Sequence, residues 1–235
     1  MIKPNKKFIS GKLIKRYKRF LADIQLDNRK EIITAHCPNT GSMLGLLNQG
    51  SPVQLSKSDN RERKLKYTLE IIESDGEKVG VNTHRANRIV EEALTSDKIK
   101  VLKKIVSIKR EVKYGNNSRI DFLVKNKDEE IYIEVKNVTL SIKKGIAEFP
   151  DAITERGSKH LIELSKLPNK KRRAVMLYLI QRKDCKYFKI AKKIDEKYYT
   201  NLKKAIKSGV EVLCYSCKFK DNNIELDKKI KFVNN

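Results

Sequence analysis

The chain has 235 residues, of which 39% are hydrophobic, which is enough for one large domain or for two modest domains with their own cores. Lysine and arginine outnumber aspartate and glutamate by 53 to 29, so the formal net charge is +24. Such a charge favours polyanions, nucleic acid before anionic membrane, although many lysines could simply fill exposed positions. No segment approaches the roughly 20 apolar residues of a membrane-spanning helix, and the basic N-terminal segment lacks the apolar core of a signal peptide. We therefore expect a cytoplasmic protein that does not bind membranes.

The first part of the chain reads as a series of short strands separated by turn residues. Five such runs cover residues 19–27, 31–37, 51–58, 66–74 and 78–84. Strands at this close spacing predict a small antiparallel barrel or sandwich. Between the second and third runs, Pro38, Asn39 and Gly41 predict a turn.

The pattern changes to mixed α/β from about residue 85, which predicts domains at 1–84 and 85–235. A helix is expected over 86–97, and three strands over 103–114, 118–124 and 130–138. A second helix is expected to start at Pro150, with Ile153, Leu161 and Leu164 on one apolar stripe. A buried strand over 173–182, a helix over 195–209 capped by Asp195 and ended by Gly209, and a strand over 210–219 complete the order.

The four cysteines, Cys37, Cys185, Cys214 and Cys217, have no spacing typical of a disulfide framework. Cys214 and Cys217 form a CxxC, but they lie in a predicted strand, where residues i and i+3 point to opposite faces. That geometry is wrong for binding one metal ion. We therefore expect reduced, structural cysteines.

The segment from Arg119 to Lys136 carries the most informative pattern. Its two alternating flanks predict a hairpin that places six apolar side chains on one face, in the pairs Val124–Ile131, Phe122–Ile133 and Ile120–Val135. The same register predicts that Asp121 lies directly opposite Glu134 on the other face, with Arg119 facing Lys136. Two carboxylates whose Cβ atoms are about 5 Å apart repel each other unless a cation or a shared proton lies between them.

Such a pair is suited to metal-dependent hydrolysis of a phosphodiester. Asp121 and Glu134 would hold Mg²⁺, or Mn²⁺, together with the carbonyl of Val135 and water. Lys136 would orient or deprotonate the attacking water, or stabilise the developing charge. The alternative is a solvated hairpin face on which the acids pair with Arg119 and Lys136. The hydrophobic run around Glu134 favours the buried site.

The motifs also resemble a known family. RIDFLV followed by IYIEVKNVTL resembles the PD-(D/E)xK, restriction-endonuclease-like nuclease core, with Ile120 where many such nucleases have proline. Nearly the whole chain resembles the sugar fermentation stimulation protein A family, through RFLADIQLD, TAHCPNTGSMLGLL, VGVNTHRANRIVEEAL, EVKNVTL and FPDAITERGSKHLIEL. The resemblance implies an N-terminal OB-like barrel, a C-terminal nuclease-like domain, DNA binding, and a link to the regulation of sugar (maltose) metabolism.

Nucleases of this type often add a glutamate from the first helix to the metal site. Periodicity does not distinguish Glu91 from Glu92, and the family pattern favours Glu92 as the third metal ligand. Glu111 is a further candidate, although it could equally be a surface residue of its strand.

Basic residues in two segments are the candidates for binding DNA. In the basic arm, where Tyr17 or Phe20 could stack on a base, they are Lys15, Arg16, Lys18 and Arg19. Near the acidic site they are Arg119, Arg156, Lys159 and His160. From its place in the sequence, Phe20 is expected in the core more often than on the surface. The loop from His36 to Ser42, with its glycine and small polar groups, is a further candidate for phosphate or base contacts.

Two functions from different classes remain open. The first is a Mg²⁺-dependent nuclease, and the second is a non-catalytic DNA-binding regulator. The intact set of Asp121, Glu134 and Lys136 favours the nuclease, and the description of the family favours the regulator. Single-stranded, duplex and branched DNA all remain possible partners.

Overall fold

The protein is described by a computed structural model over residues 7–27, 29, 31–102, 104–115, 118–220 and 222–233. Two bodies of secondary structure follow each other along the chain, as the sequence predicts. Within the described residues, no helix is long and apolar enough to cross a membrane.

The first body is a small β-barrel. Its strands are β1 Ile9–Tyr17, β2 Leu21–Leu26, β3 Ile32–His36, β4 Pro52–Lys57, β5 Tyr67–Ser74 and β6 Glu77–Gly80. They are ordered β3-β2-β1-β4-β5-β6, and a parallel bridge between His36 and Thr68 joins β3 to β5 and closes the barrel. The barrel predicted from the strand spacing is confirmed. The sequence did not predict β1, because the lysines at its exposed positions, Lys12 and Lys15, belong to the run that reads as a basic arm.

The second body is a three-layer α/β arrangement around a six-stranded sheet. In chain order its elements are α1 His84–Thr95, a 3-10 turn Lys100–Leu102, β7 Ser107–Tyr114, β8 Ser118–Lys125, β9 Glu130–Val138, β10 Ile146–Phe149, α2 Glu155–Leu164, β11 Arg172–Ile180, β12 Tyr187–Ile190, α3 Glu196–Lys207, β13 Val210–Lys220, β14 Asn223–Lys229 and β15 Lys231–Phe232. The sheet order is β14-β13-β11-β9-β8-β7, with β9, β11 and β13 parallel. The apolar side of α1 packs on one face, and α2 and α3 pack on the other.

Helix α2 corrects one prediction. It starts after Thr154, whose hydroxyl accepts a hydrogen bond from the Gly157 N–H, and not at Pro150. The start is fixed there because the Asp195 carboxylate also accepts a hydrogen bond from the Thr154 N–H. Ile153 therefore precedes the helix and is 78% exposed, whereas Leu161 and Leu164 are buried as predicted.

Other local predictions are confirmed. Asp195 caps α3 by accepting a hydrogen bond from the Tyr198 N–H, and Gly209 follows the helix with a positive φ of 94°. Cys214 and Cys217 are both buried and reduced, and they contribute to the cores on opposite faces of the sheet. The CxxC therefore does not converge on a single metal position.

The two bodies meet along a seam of backbone and side-chain hydrogen bonds. Asp151 lies in the segment leading to α2 and accepts two hydrogen bonds from the barrel domain. The Ser42 hydroxyl donates to its backbone carbonyl at 2.5 Å, and the Met43 N–H donates to its carboxylate at 2.9 Å. Gly80 at the end of the barrel donates its N–H to the Gln181 carbonyl at 2.9 Å. The loop from His36 to Ser42, whose contact with phosphate or bases stays a prediction, thus joins the barrel to the second domain.

Gly41 lies close to Asp151 at this seam. A Cβ added at Gly41 would lie 2.6 Å from an oxygen of the Asp151 carboxylate, so that carboxylate, which accepts the Met43 N–H, would have to move. We expect Gly41→Ala to lower the free energy of unfolding by about 1–3 kcal/mol, measured by urea denaturation. The matched test is the same change in an Asp151→Ala background, where the clash is absent and most of the cost should disappear. An equal cost in both backgrounds would contradict this account of the seam.

Candidate active site

Asp121 lies at a break in the ladder between β8 and β9. The predicted pairs Phe122–Ile133 and Val124–Ile131 are present, but the described ladder ends at Phe122, so Asp121 and Glu134 do not form a ladder pair. Instead, one Asp121 oxygen accepts the Val135 N–H at 2.7 Å and the other accepts the Asn87 side-chain amide at 2.8 Å.

The predicted apolar face is correspondingly incomplete. Ile120 belongs to the core on the opposite side of the sheet from the other five residues of the set. The backbone is irregular here: Glu111, next to this point on β7, has a positive φ of 52° and no ladder partner. Arg119 is exposed and lies opposite Lys113 in the ladder with β7, and the described ladder between β8 and β9 does not extend to Arg119 and Lys136.

Glu134 is the most enclosed carboxylate of the site, with 3% of the residue exposed. One of its oxygens, Oε1, accepts hydrogen bonds from the Lys136 ammonium at 2.8 Å and from Nδ1 of His160 on α2. The other oxygen, Oε2, is fully buried and has no protein partner. Burial raises the pKa of Glu134, but the hydrogen bond from His160 and the charge of Lys136 outweigh it and lower the pKa below its ordinary value.

The charge of Glu134 also acts on Asp121. Burial, followed by the charge of Glu134, raises the pKa of Asp121 to about 6, although the Val135 N–H, Asn87 and Lys136 oppose the rise. Two carboxylates that interact in this way call for a cation, and an unpaired buried oxygen provides a position for one. Asp121, Glu134 and Lys136 thus lie together, as the sequence pattern suggests.

Helix α1 brings Asn87, not Glu92, to Asp121. Glu92 pairs with Arg88 one turn earlier on the helix surface at 2.9 Å, and Glu91 pairs with Arg110 of β7 at 3.2 Å. Within the described residues, no group of three or more His, Cys, Asp and Glu side chains gathers around one metal position. Glu92 as a metal ligand remains a prediction. Asn87 was missed because an amide is not a typical ligand in this sequence pattern.

His160 has a different place from the one predicted. It is only 7% exposed and is hydrogen-bonded to Glu134, so it does not lie on the solvated face of α2 as a DNA contact would. Arg156 and Lys159 of the same helix are exposed, as expected. The helical period explains the difference: Leu161 and Leu164 turn the His160 side of α2 toward the sheet.

Glu163 and Tyr114 border the same site and were not identified from the sequence. The Glu163 carboxylate lies over Gly115, and its Oε2 and the Tyr114 hydroxyl are both buried and unpaired. Burial raises the pKa of Tyr114, and the charges of Glu134, Glu163 and Asp121 raise it further. The only signal available was the helical spacing, since Glu163 follows His160 by three residues.

The basic arm forms β1 and the turn after it. Two of its predicted DNA contacts are used inside the protein: the Arg16 guanidinium donates to the carbonyls of Asn39 and Gly41, at 2.7 and 2.9 Å, and Arg19 donates to the Thr40 carbonyl. Lys15 and Lys18 are exposed. Phe20, expected in the core, is 47% exposed because it lies at the turn between β1 and β2.

A cleft of about 900 Å³ lies outside the acidic site. Its wall runs along α1 from His84 to Thr95 and continues past Lys98, Arg110 and Glu225. Its charged residues form ion pairs with one another, such as Arg110 with Glu91 and Lys98 with Glu225. The cleft is therefore less suited to a charged ligand than its size suggests.

Comparison with known proteins gives matches over nearly the whole chain. Residues 14–81 match the family model described as "SfsA N-terminal OB domain", and residues 84–223 match "Sugar fermentation stimulation protein RE domain". A sugar fermentation stimulation protein homolog from Pelagibacter ubique is 51% identical over 229 residues, 97% of this chain and 98% of its own length. A homolog from Maricaulis maris is 48% identical over 210 residues, 89% of each chain.

One solved structure has the same fold. It is described as the structure of Pyrococcus furiosus SfsA in complex with Ca²⁺, and it superposes with a TM-score of 0.88 at 25% identity over 96% of each chain.

Proposed function

This chain belongs to the sugar fermentation stimulation protein (SfsA) family, and we propose that it binds DNA and hydrolyses phosphodiester bonds at Asp121, Glu134 and Lys136. One observation carries the catalytic part: the Glu134 carboxylate has a buried, unpaired oxygen beside a second carboxylate and a lysine. This is the environment that a divalent cation and a phosphate oxygen would complete.

The donor set suits a hard divalent cation. Asp121 and Glu134 would hold Mg²⁺ or Mn²⁺, because carboxylate oxygens are the ligands these ions prefer. The Ca²⁺ in the description of the Pyrococcus furiosus relative supports an oxygen-ligand site in this fold. When bound, such an ion neutralises the scissile phosphate and lowers the pKa of a coordinated water.

The chain's own residues supply position and charge. Asn87 and the Val135 N–H hold the two Asp121 oxygens, and His160 holds Glu134, so both carboxylates are fixed before any ligand arrives. Lys136 lies 2.8 Å from the shared Glu134 oxygen, where its ammonium can orient a water or stabilise charge on a phosphate oxygen.

A second candidate is a DNA-binding regulator that does not cleave. It is favoured by the name of the relatives, which refers to the stimulation of sugar fermentation. DNA binding is common to both candidates, and the net charge of +24 supports it in either case.

Cleavage assays on labelled single-stranded, duplex and branched DNA separate the two candidates. With Mg²⁺ or Mn²⁺ we expect products that disappear in EDTA, and Lys136→Met should reduce the cleavage rate at least about 100-fold while binding persists. The matched control is Lys125→Met on the same hairpin, because Lys125 pairs with Glu130 and not with the site acids. It should cleave like the wild type.

Two other outcomes would contradict parts of the proposal. Tight binding without product on every substrate would rule out the nuclease and leave the regulator. A flat response of affinity to salt would contradict the electrostatic basis of DNA binding, since roughly six phosphate contacts give a log–log slope near −5 on duplex DNA.

A further inference from the structure

Three basic or titratable side chains meet at the seam between the two domains. His36 is the last residue of β3, Arg63 lies in the loop between β4 and β5, and His84 is the first residue of α1. The two histidine rings are 6.4 Å apart. The Arg63 guanidinium lies 3.4 Å from Nδ1 of His36 and donates to the Thr68 hydroxyl at 2.9 Å, which fixes its position.

This seam cluster of His36, Arg63 and His84 has no acidic partner within ion-pair distance among the residues that the structure describes. Burial, then the charges of Arg63 and His84, lowers the pKa of His36, so the three groups repel one another when charged. By contrast, the neighbouring Arg85 is neutralised by the buried Glu70. A cluster of like charge without a counterion is a place where a bound anion would relieve repulsion.

The seam cluster is also close to the acidic site. His84 precedes Asn87 by three residues on α1, which places their Cβ atoms about 5–6 Å apart on neighbouring positions of the helix surface. Asn87 in turn donates to Asp121 at 2.8 Å. An anion at the seam cluster would therefore lie on the barrel side of the same helix whose Asn87 contacts Asp121.

We propose that His36, Arg63 and His84 form a phosphate subsite that holds the DNA backbone where a strand passes from the barrel to the acidic site. The guanidinium supplies paired donors for phosphate oxygens, and the imidazoles supply further N–H donors. This inference rests on the DNA-binding part of the proposed function and does not depend on cleavage.

The test measures the binding of a labelled oligonucleotide by fluorescence anisotropy over a range of salt concentrations. We expect Arg63→Gln to weaken binding about 3–10-fold and to reduce the magnitude of the log–log salt slope by roughly 0.7–0.9, the value for one lost phosphate contact. His84→Gln should weaken binding less. Arg63→Lys should keep the salt slope but lose part of the affinity, because it keeps the charge without the planar donor pair.

The matched control is Arg29→Gln. Arg29 is an exposed arginine of the same domain and precedes β3, whereas His36 is the last residue of that strand, so the two residues lie more than about 13 Å apart. It should change neither affinity nor slope. If Arg63→Gln and His84→Gln bind like this control while the wild type binds DNA, the subsite is wrong and the proposed function stands. If the wild type does not bind any oligonucleotide, the proposed function itself fails. Inorganic phosphate should compete with the oligonucleotide only weakly; strong competition would indicate a site for free phosphate and overturn the proposal.

Discussion

Replacing Asp121 with asparagine is expected to raise the stability of the free protein at pH 8 and, at the same time, to abolish its response to divalent cations. The pKa of Asp121 is raised to about 6 from an ordinary value of 3.8, mainly by burial and by Glu134. A carboxyl group with a raised pKa contributes most to stability below pH 4, and that contribution is lost as the pH rises through 6. The loss amounts to about 1–3 kcal/mol by pH 8.

The amide can replace the carboxylate without leaving an unpaired donor. Its oxygen can accept the Val135 N–H, and the Asn87 amide can turn so that its oxygen accepts from the new NH₂ group. We therefore expect Asp121→Asn to increase the free energy of unfolding by about 1–3 kcal/mol at pH 8, and by much less at pH 4. Hydrolysis should fall at least about 100-fold, because one of the two anionic ligands is gone.

Urea denaturation at both pH values, with and without Ca²⁺ or Mg²⁺, measures the stability effects. The wild type should gain stability with the cation by mass action, and Asp121→Asn should not. Asp128→Asn, an exposed acid in the loop between β8 and β9, serves as the control and should behave like the wild type. Lower stability of Asp121→Asn than of the wild type at pH 8 would contradict the raised pKa of Asp121. A stabilisation by the cation as large as that of the wild type would contradict its role as a metal ligand.

The largest loss of stability is expected from Glu70→Ala. Glu70 is 3% exposed on β5, and its carboxylate accepts hydrogen bonds from Arg85 at 2.5 Å, Asn82 at 2.8 Å and Ser56 at 2.5 Å. Its removal leaves the Arg85 guanidinium largely buried without a counterion. We expect the free energy of unfolding to fall by about 3–5 kcal/mol in urea denaturation.

The same change should also weaken the acidic site, because Arg85 and Asn87 lie on the same first turns of α1. The exposed pair of Glu31 with Arg29 gives the matched control: Glu31→Ala should cost about 0–1 kcal/mol. A cost below about 1 kcal/mol for Glu70→Ala would contradict the importance of this buried ion pair for joining α1 to the barrel.

The sequence by itself determined features that depend on local periodicity. The alternation around Phe122 and Ile133 predicted their pairing, because a one-residue slip would move every apolar side chain to the wrong face. The alternation of side chains along a strand placed Cys214 and Cys217 on opposite faces of the sheet. The preference of aspartate for the N-cap position placed the start of α3 at Asp195. The strand spacing of the first eighty residues predicted the barrel.

Only the tertiary structure decided which distant side chains meet. Asn87 reaches Asp121 across 34 residues of chain, and His160 reaches Glu134 across 26. Periodicity indicates which side of a helix is buried, but it does not say which polar group of another element lies opposite. For that reason the sequence did not point to Asn87: the family pattern favoured Glu92 over Glu91 on α1, and His160 was expected on the polar face of α2.

The pattern Asp121, Glu134 and Lys136 was visible in the sequence because all three lie on the adjacent strands β8 and β9, joined by one short loop, although the ladder between these strands ends before Asp121. The buried, unpaired oxygen of Glu134 and the raised pKa of Asp121 depend on α1 and α2 covering that hairpin from its two faces. The seam cluster of His36, Arg63 and His84 likewise exists only where the barrel meets α1. Chemistry that needs two domains is decided by their packing, because residues far apart in sequence carry no local signal of their contact.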